Sequence, residues 1–206
     1  MQYQGGPYFK EGPKEWAYSC VLKDQWRLID GTQLYHIKRD PAQRKDISAN
    51  HPEVVKQLRT YYPPFWNSVS LRMKPVSIDV GNPAENPTTL CSQDWYMPTG
   101  NPPWNFGTIR KLPRVTGPWK IDVKQAGRYR LTLRQFPAEA DIAVNAVRAK
   151  VQISGQVKES SVTPGTKGVV FEMNLPAGST ELRTWLYDEE GSAGGAYFTE
   201  VEALNR

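Results

Sequence analysis

The sequence predicts a mainly β fold with one amphipathic helix: a hairpin-helix segment followed by an antiparallel, jelly-roll-like β-sandwich. Three observations carry that reading. From about residue 75, short stretches alternate apolar and polar residues between turn signals. Before that point, one strand-turn-strand pattern stands alone, and a single stripe of helical period follows it. No internal repeat or low-complexity tract runs through either part. The change of character divides the chain into 1–74 and 75–206.

Within the first part, Val21-Leu22 and Trp26–Ile29 read as one strand. Asp30-Gly31 is a strong turn, and Gln33–Ile37 is the returning strand. Asn50 or His51 stands near a helix N-cap, with Pro52 in the first turn and Glu53 beside the positive end of the dipole. Val54, Leu58, Tyr61, Phe65 and Val69 recur every three or four residues, and Val55, Tyr62 and Trp66 widen the stripe. Pro63-Pro64 predicts a kink or break, because each proline removes a backbone donor and clashes with the preceding turn. A hairpin and a helix bury little by themselves, so this part is expected to lean on a partner.

In the second part, Val76, Ile78 and Val80 alternate up to Gly81-Asn82-Pro83. Trp119–Val123 alternates again. Tyr129, Leu131 and Leu133 face one side, with Arg128, Arg130, Thr132 and Arg134 on the other. Strands are further predicted over 148–153, 168–175, 181–187 and 196–204. Residues 82–117 form a long prolyl, aromatic loop.

Composition excludes several classes. Of the 206 residues, 39% are hydrophobic and 23% charged, which suits a globular chain. No apolar run is long enough to span a membrane, so no membrane partner is expected. The first residues lack the basic start and apolar stretch of a signal peptide. The net charge is +5, but lysines and arginines alternate with acids, as in Lys23-Asp24 and Arg39-Asp40. That pattern predicts a mixed solvated surface and no nucleic-acid partner. Cys20 and Cys91 lack metal-ligand spacing and read as half-buried free thiols. No metal ligands or catalytic residues are predicted. Asp188-Glu189-Glu190 reads as a solvated turn.

The candidate binding residues are Gln93, Asp94, Trp95, Trp104 and Asn105. Aromatic faces beside amides and carboxylates suit sugars, whose C–H faces stack while their hydroxyls hydrogen-bond. The competing reading has both tryptophans pinning the loop to its own core. Between the two, Trp95 is expected to be structural. Trp104, behind Pro102-Pro103, is expected to line the open side of the loop.

The stretch Ser19–Ile29, with Gly31, Leu34-Tyr35, Asp40-Pro41, Asp46-Ile47 and the helix from His51 to Val69, resembles the C-terminal subdomain of the arylsulfatase-type sulfatase family. Asn86–Trp95, Pro103-Trp104-Asn105, Ala126–Tyr129 and Gly195–Phe198 resemble the β-sandwich appended to some bacterial members. The resemblance implies the C-terminal fragment of a sulfuric ester hydrolase, completing the fold and the substrate cleft. Its partners would be the missing catalytic domain and a sulfated carbohydrate, in a periplasmic or secreted setting. Calcium and formylglycine would sit in that missing domain. Neither Cys20 nor Cys91 is followed by the Pro and Arg of the family's nucleophile motif, so this chain alone is expected to be inactive. The alternative is a free-standing carbohydrate-binding β-sandwich module.

Overall fold

The structure, a computed structural model, describes residues 14–72, 76–97 and 101–204. The chain divides into two compact units, residues 1–74 with 98–100, and residues 75–97 with 101–206.

Within the first unit, β1 (Cys20–Lys23), β2 (Trp26–Ile29) and β3 (Gln33–His36) form an antiparallel meander in that order. The single strand expected over 21–29 is therefore two. Lys23 pairs with Trp26, so the chain reverses through Asp24-Gln25, with Asp24 at φ 52°. Asparagine and aspartate tolerate that conformation, but without a glycine the turn lacks its usual mark. The expected Asp30-Gly31 turn is present, with Gly31 at φ +71°. A Cβ there would stand 2.8 Å from the Trp16 ring, so this position requires glycine.

The stripe is broken into two helices, as the proline pair led one to expect: α1 (Pro52–Arg59) and α2 (Tyr62–Ser70). The break falls at Thr60-Tyr61, just ahead of the prolines. Pro63 and Pro64 lack the N–H groups that would bond back to Arg59 and Thr60. At the start of a new helix those donors are free in any case. Leu28, Leu34 and Leu58 form the buried core, with Trp16, Val21, Trp26, Ile47, Val54 and Val55 packed around it. Trp16 stacks on Tyr62 at 4.0 Å, and Arg59 Nη1 donates to Gly31 O at 3.0 Å.

The second unit is a β-sandwich. One sheet runs β5 (Thr88–Cys91), β13 (Phe198–Ala203), β7 (Gly127–Arg134), β10 (Val169–Leu175). The other runs β4 (Ile78–Val80), β6 (Trp119–Val123), β11 (Gly178–Tyr187), β8 (Arg148–Ile153), β9 (Gln156–Ser161), with β12 (Ala193–Gly194) on β11. Every pair is antiparallel except β4 with β6. Tyr129, Leu131, Leu133, Phe171 and Val201 of the first sheet share one core with Trp119, Ile121, Val151, Leu182 and Leu186 of the second.

Beyond the short β12, three elements lie outside the sequence expectation. β9 is the polar edge QVKESS, exposed over nearly its whole length, so no alternation betrays it. β5 and the short α3 (Phe106–Arg110) lie within the stretch read as loop.

Cys20 and Cys91 are both half-buried. Burial raises both pKa values. Among the described residues no helix is long and apolar enough to cross a membrane.

Candidate functional site

Strand register sets the site. Phe198, at the start of β13, faces Cys91 and Arg134, at the ends of β5 and β7. Tyr187 faces Arg148, which faces Ser161, so β11 and β9 end where β8 begins. Trp119 Nε1 donates to Cys91 O at 2.7 Å and ties the two sheets at this end. Loops 92–118, 135–147, 162–168 and 188–197 therefore gather at one end of the sandwich.

The five sequence-predicted residues lie on the first of these loops and separate by role. Trp95 is 5% exposed. Its ring meets Trp119 at 5.6 Å and Tyr197 at 5.7 Å, and a Cβ on Gly195 would stand 2.5 Å from it. Such a ring offers no face to a ligand, so Trp95 leaves the candidate set and supports the loop from within. Its Nε1 is buried without a partner among the described residues. Burial also raises the Tyr197 hydroxyl strongly, and that hydroxyl donates to Pro113 O at 2.9 Å.

Trp104 is 74% exposed. The backbone beneath it is held from both sides. Ser92 Oγ and Gln93 Nε2 each donate to Pro103 O at 3.0 Å. Asn105 Oδ1 caps α3 by accepting from Thr108 N at 2.9 Å. Pro102 and Pro103 fix φ on the approach. Gln93 and Asn105 thus act mainly by positioning the tryptophan. Asp94 is exposed and accepts from Cys91 Sγ at 3.2 Å.

Sequence reading passed over two further parts of this end. Gln135 is fully buried and bridges two loops: Nε2 donates to Ile109 O, and Oε1 accepts from Asn145 N, both at 2.8 Å. It thereby fixes α3 to the 144–147 segment. That segment lines an open cleft of about 600 Å³, together with Pro164, Gly165 and the Asp188-Glu189-Glu190 turn. Asp188 Oδ1 accepts from Ser192 N at 2.8 Å, and Glu190 pairs with Arg114 at 3.3 Å. Neither part has a local signature, because residues about 45 apart in sequence form the cleft only once the sandwich closes. Among the described residues no group of three His, Cys, Asp or Glu is placed to hold a metal ion.

No family model and no curated protein matches the chain. A ruminal GH26 endo-β-1,4-mannanase overlaps 58% of it at 16% identity and TM-score 0.37, and the chain spans 26% of that protein's length. A CBM35 module from Cellvibrio japonicus overlaps 44% of the chain and 71% of its own length, at 21% identity and TM-score 0.31. A GH2 β-galacturonidase from Eisenbergiella tayi overlaps 59% of the chain and 25% of its own, at 12% identity and TM-score 0.30. These likenesses are partial and distant.

The sulfatase resemblance is overturned: no family model and no curated protein matches the chain, so no sulfatase supports it. The residues that carried it have local structural work instead. Leu28 and Leu34 fill the meander core, Asp40 Oδ2 accepts from Lys45 N, and Asp46 Oδ1 accepts from Leu34 N. Residues 14–70 are a three-stranded meander with two helices, and the expectations of calcium, formylglycine and a catalytic-domain partner rest on that resemblance alone.

Proposed function

We propose that this chain is a carbohydrate-binding β-sandwich module that takes its ligand at the loop-bearing end of the sandwich. The observation that carries the reading is Trp104: an indole 74% exposed on a backbone fixed by Pro103 and by the Asn105 cap. Exposing so large an apolar ring is unfavourable in water. Holding it rigid lowers the entropy lost when a flat ligand stacks on it. A sugar presents such a flat C–H face, and its hydroxyls can donate to nearby carboxylates and carbonyls.

In this role Trp104 is the platform, Gln93 and Asn105 position it, and Trp95 anchors the loop. The test is affinity electrophoresis of the full chain in gels containing mannan, xylan or mixed-linkage β-glucan. Retardation by at least one polymer, lost in Trp104→Ala with unchanged thermal unfolding, is expected. No retardation by any neutral polymer, or retardation that survives Trp104→Ala, overturns the reading.

A further inference from the structure

We propose that the loop between β3 and α1 is a second binding surface, one that takes anionic polysaccharide. The inference rests on the reading of the chain as a glycan-binding module and extends it to a ligand class.

Charge is segregated between the units. Residues 1–74 hold 12 Lys and Arg against 7 Asp and Glu, whereas residues 75–206 hold 14 against 14. The whole net charge of +5 therefore sits on the first part.

Within the described residues of that part, four cations crowd one loop: Lys38, Arg39, Arg44 and Lys45. All four are exposed, and none has an ion-pair partner among the described residues. The fold brings the two pairs together. Arg39 N and Asp40 N both donate to His36 O, at 3.0 and 2.8 Å, and Gln43 N donates to Asp40 O at 3.0 Å. Asp40 Oδ2 then accepts from Lys45 N at 2.9 Å, closing the loop so that Arg44-Lys45 returns beside Lys38-Arg39.

The acids of the loop are occupied by this architecture. Asp40 holds Lys45 N, while Asp46 Oδ1 accepts from Leu34 N at 3.0 Å and Ser48 N at 2.9 Å. The loop sets four cations against two carboxylates whose oxygens are turned to the backbone, and the net positive charge that remains attracts a polyanion and releases its counterions.

The form of the loop selects among polyanions. Residues 38–45 contain no aromatic ring for base stacking and no helix to enter a groove, the two devices of nucleic-acid readout. The loop also exposes no large apolar side chain for insertion into a lipid surface. Sulfate or carboxylate groups repeated along a polysaccharide suit a short cluster of lysines and arginines.

The experiment compares the full chain in gels containing dextran sulfate or neutral dextran, with two charge-matched variants. One is Arg44→Gln with Lys45→Gln, and the other is Lys56→Gln with Arg72→Gln, exposed cations outside the loop. The loop pair is expected to weaken dextran sulfate binding about tenfold at low salt, and the control pair less than about threefold. Equal weakening by both pairs shows general charge attraction and overturns the proposal, as does undiminished binding in the loop pair. Unrelated duplex DNA that displaces dextran sulfate at lower charge concentration also overturns it, in favour of nucleic acid. The neutral-polymer result with Trp104→Ala tests the module reading separately, because both charge variants retain Trp104.

Discussion

The two units hold themselves together differently. The sandwich buries a continuous core from both sheets, including the fully enclosed Trp119, Tyr129 and Tyr197. Among the described residues, the meander-helix unit has Leu28, Leu34 and Leu58 as its core. It supplements them with the Trp16–Tyr62 stack, the Arg59–Gly31 bond and Asp46 accepting from two backbone N–H groups. A small unit has too little interior for apolar burial alone, so directed contacts carry more of its stability. The charged groups follow the same division. On the sandwich, Arg128, Arg130 and Arg134 pair with Glu172, Glu200 and Glu202 across strands. On the smaller unit, Lys38, Arg39, Arg44 and Lys45 make no ion pair among the described residues, and Asp40 and Asp46 of the same loop accept from backbone N–H groups instead.

The largest effect expected is at the centre of the sandwich. Trp95→Ala should cost about 3–5 kcal/mol, as large-to-small changes in a tight core do. Trp95→Phe should cost much less, because it keeps most of the ring and removes a buried donor without a partner among the described residues. Urea melts of both variants check the pair; equal losses would show that ring volume is not what matters there.

Leu34→Ala should cost the smaller unit about 2–5 kcal/mol, since one of its three core leucines is removed. Amide hydrogen exchange should show lost protection over 20–59, with the sandwich unchanged. Loss in both units together would mean that they do not fold independently. Gly31→Ala should cost the same unit about 1–3 kcal/mol, from a strained positive φ and the clash with Trp16.

Acid should distinguish the two kinds of carboxylate. Hydrogen bonds from Ser48 N and Leu34 N hold Asp46 below its ordinary value of 3.8. Glu172 and Glu159 are lowered by Arg128 and Arg148. A lowered folded pKa contributes stability that is present above the unfolded value and lost as pH falls through the folded one. Both contributions should therefore fade on acidification below the ordinary carboxylate range. High salt should weaken the arginine-paired groups and leave Asp46 nearly unaffected, because salt screens ion pairs more than a short bond to backbone N–H. Carboxyl titrations followed by NMR at low and high salt check this, and an Asp46 curve that moves with salt would break the distinction.

The smallest effect on stability is expected at Trp104. Trp104→Ala should change the unfolding free energy by less than about 0.5 kcal/mol while abolishing polysaccharide retardation. A larger loss would make Trp104 part of the sandwich core, erasing its contrast with Trp95.

Periodicity made most of the sandwich legible. β6, β7, β8 and β10 place apolar residues on alternate positions, because a strand with one buried face permits no other pattern. The Pro63-Pro64 interruption and the Pro52 start are equally local facts, decided by the missing amide hydrogen. β9 stayed invisible because an edge strand paired on one side requires no apolar face. The turn at Asp24-Gln25 stayed invisible because aspartate marks a left-handed residue only weakly. Trp95 and Trp104 share one residue type and one prolyl loop, yet one is buried and the other exposed. That separation depends on Trp119, Tyr197 and Gly195, which reach Trp95 only when the two sheets close. The sequence by itself determined β6, β7, β8 and β10, the helix stripe and the total charge, all properties of neighbouring residues. Tertiary structure alone decided which tryptophan faces water and how Gln135 joins two loops, because each depends on contacts between residues that the chain keeps apart.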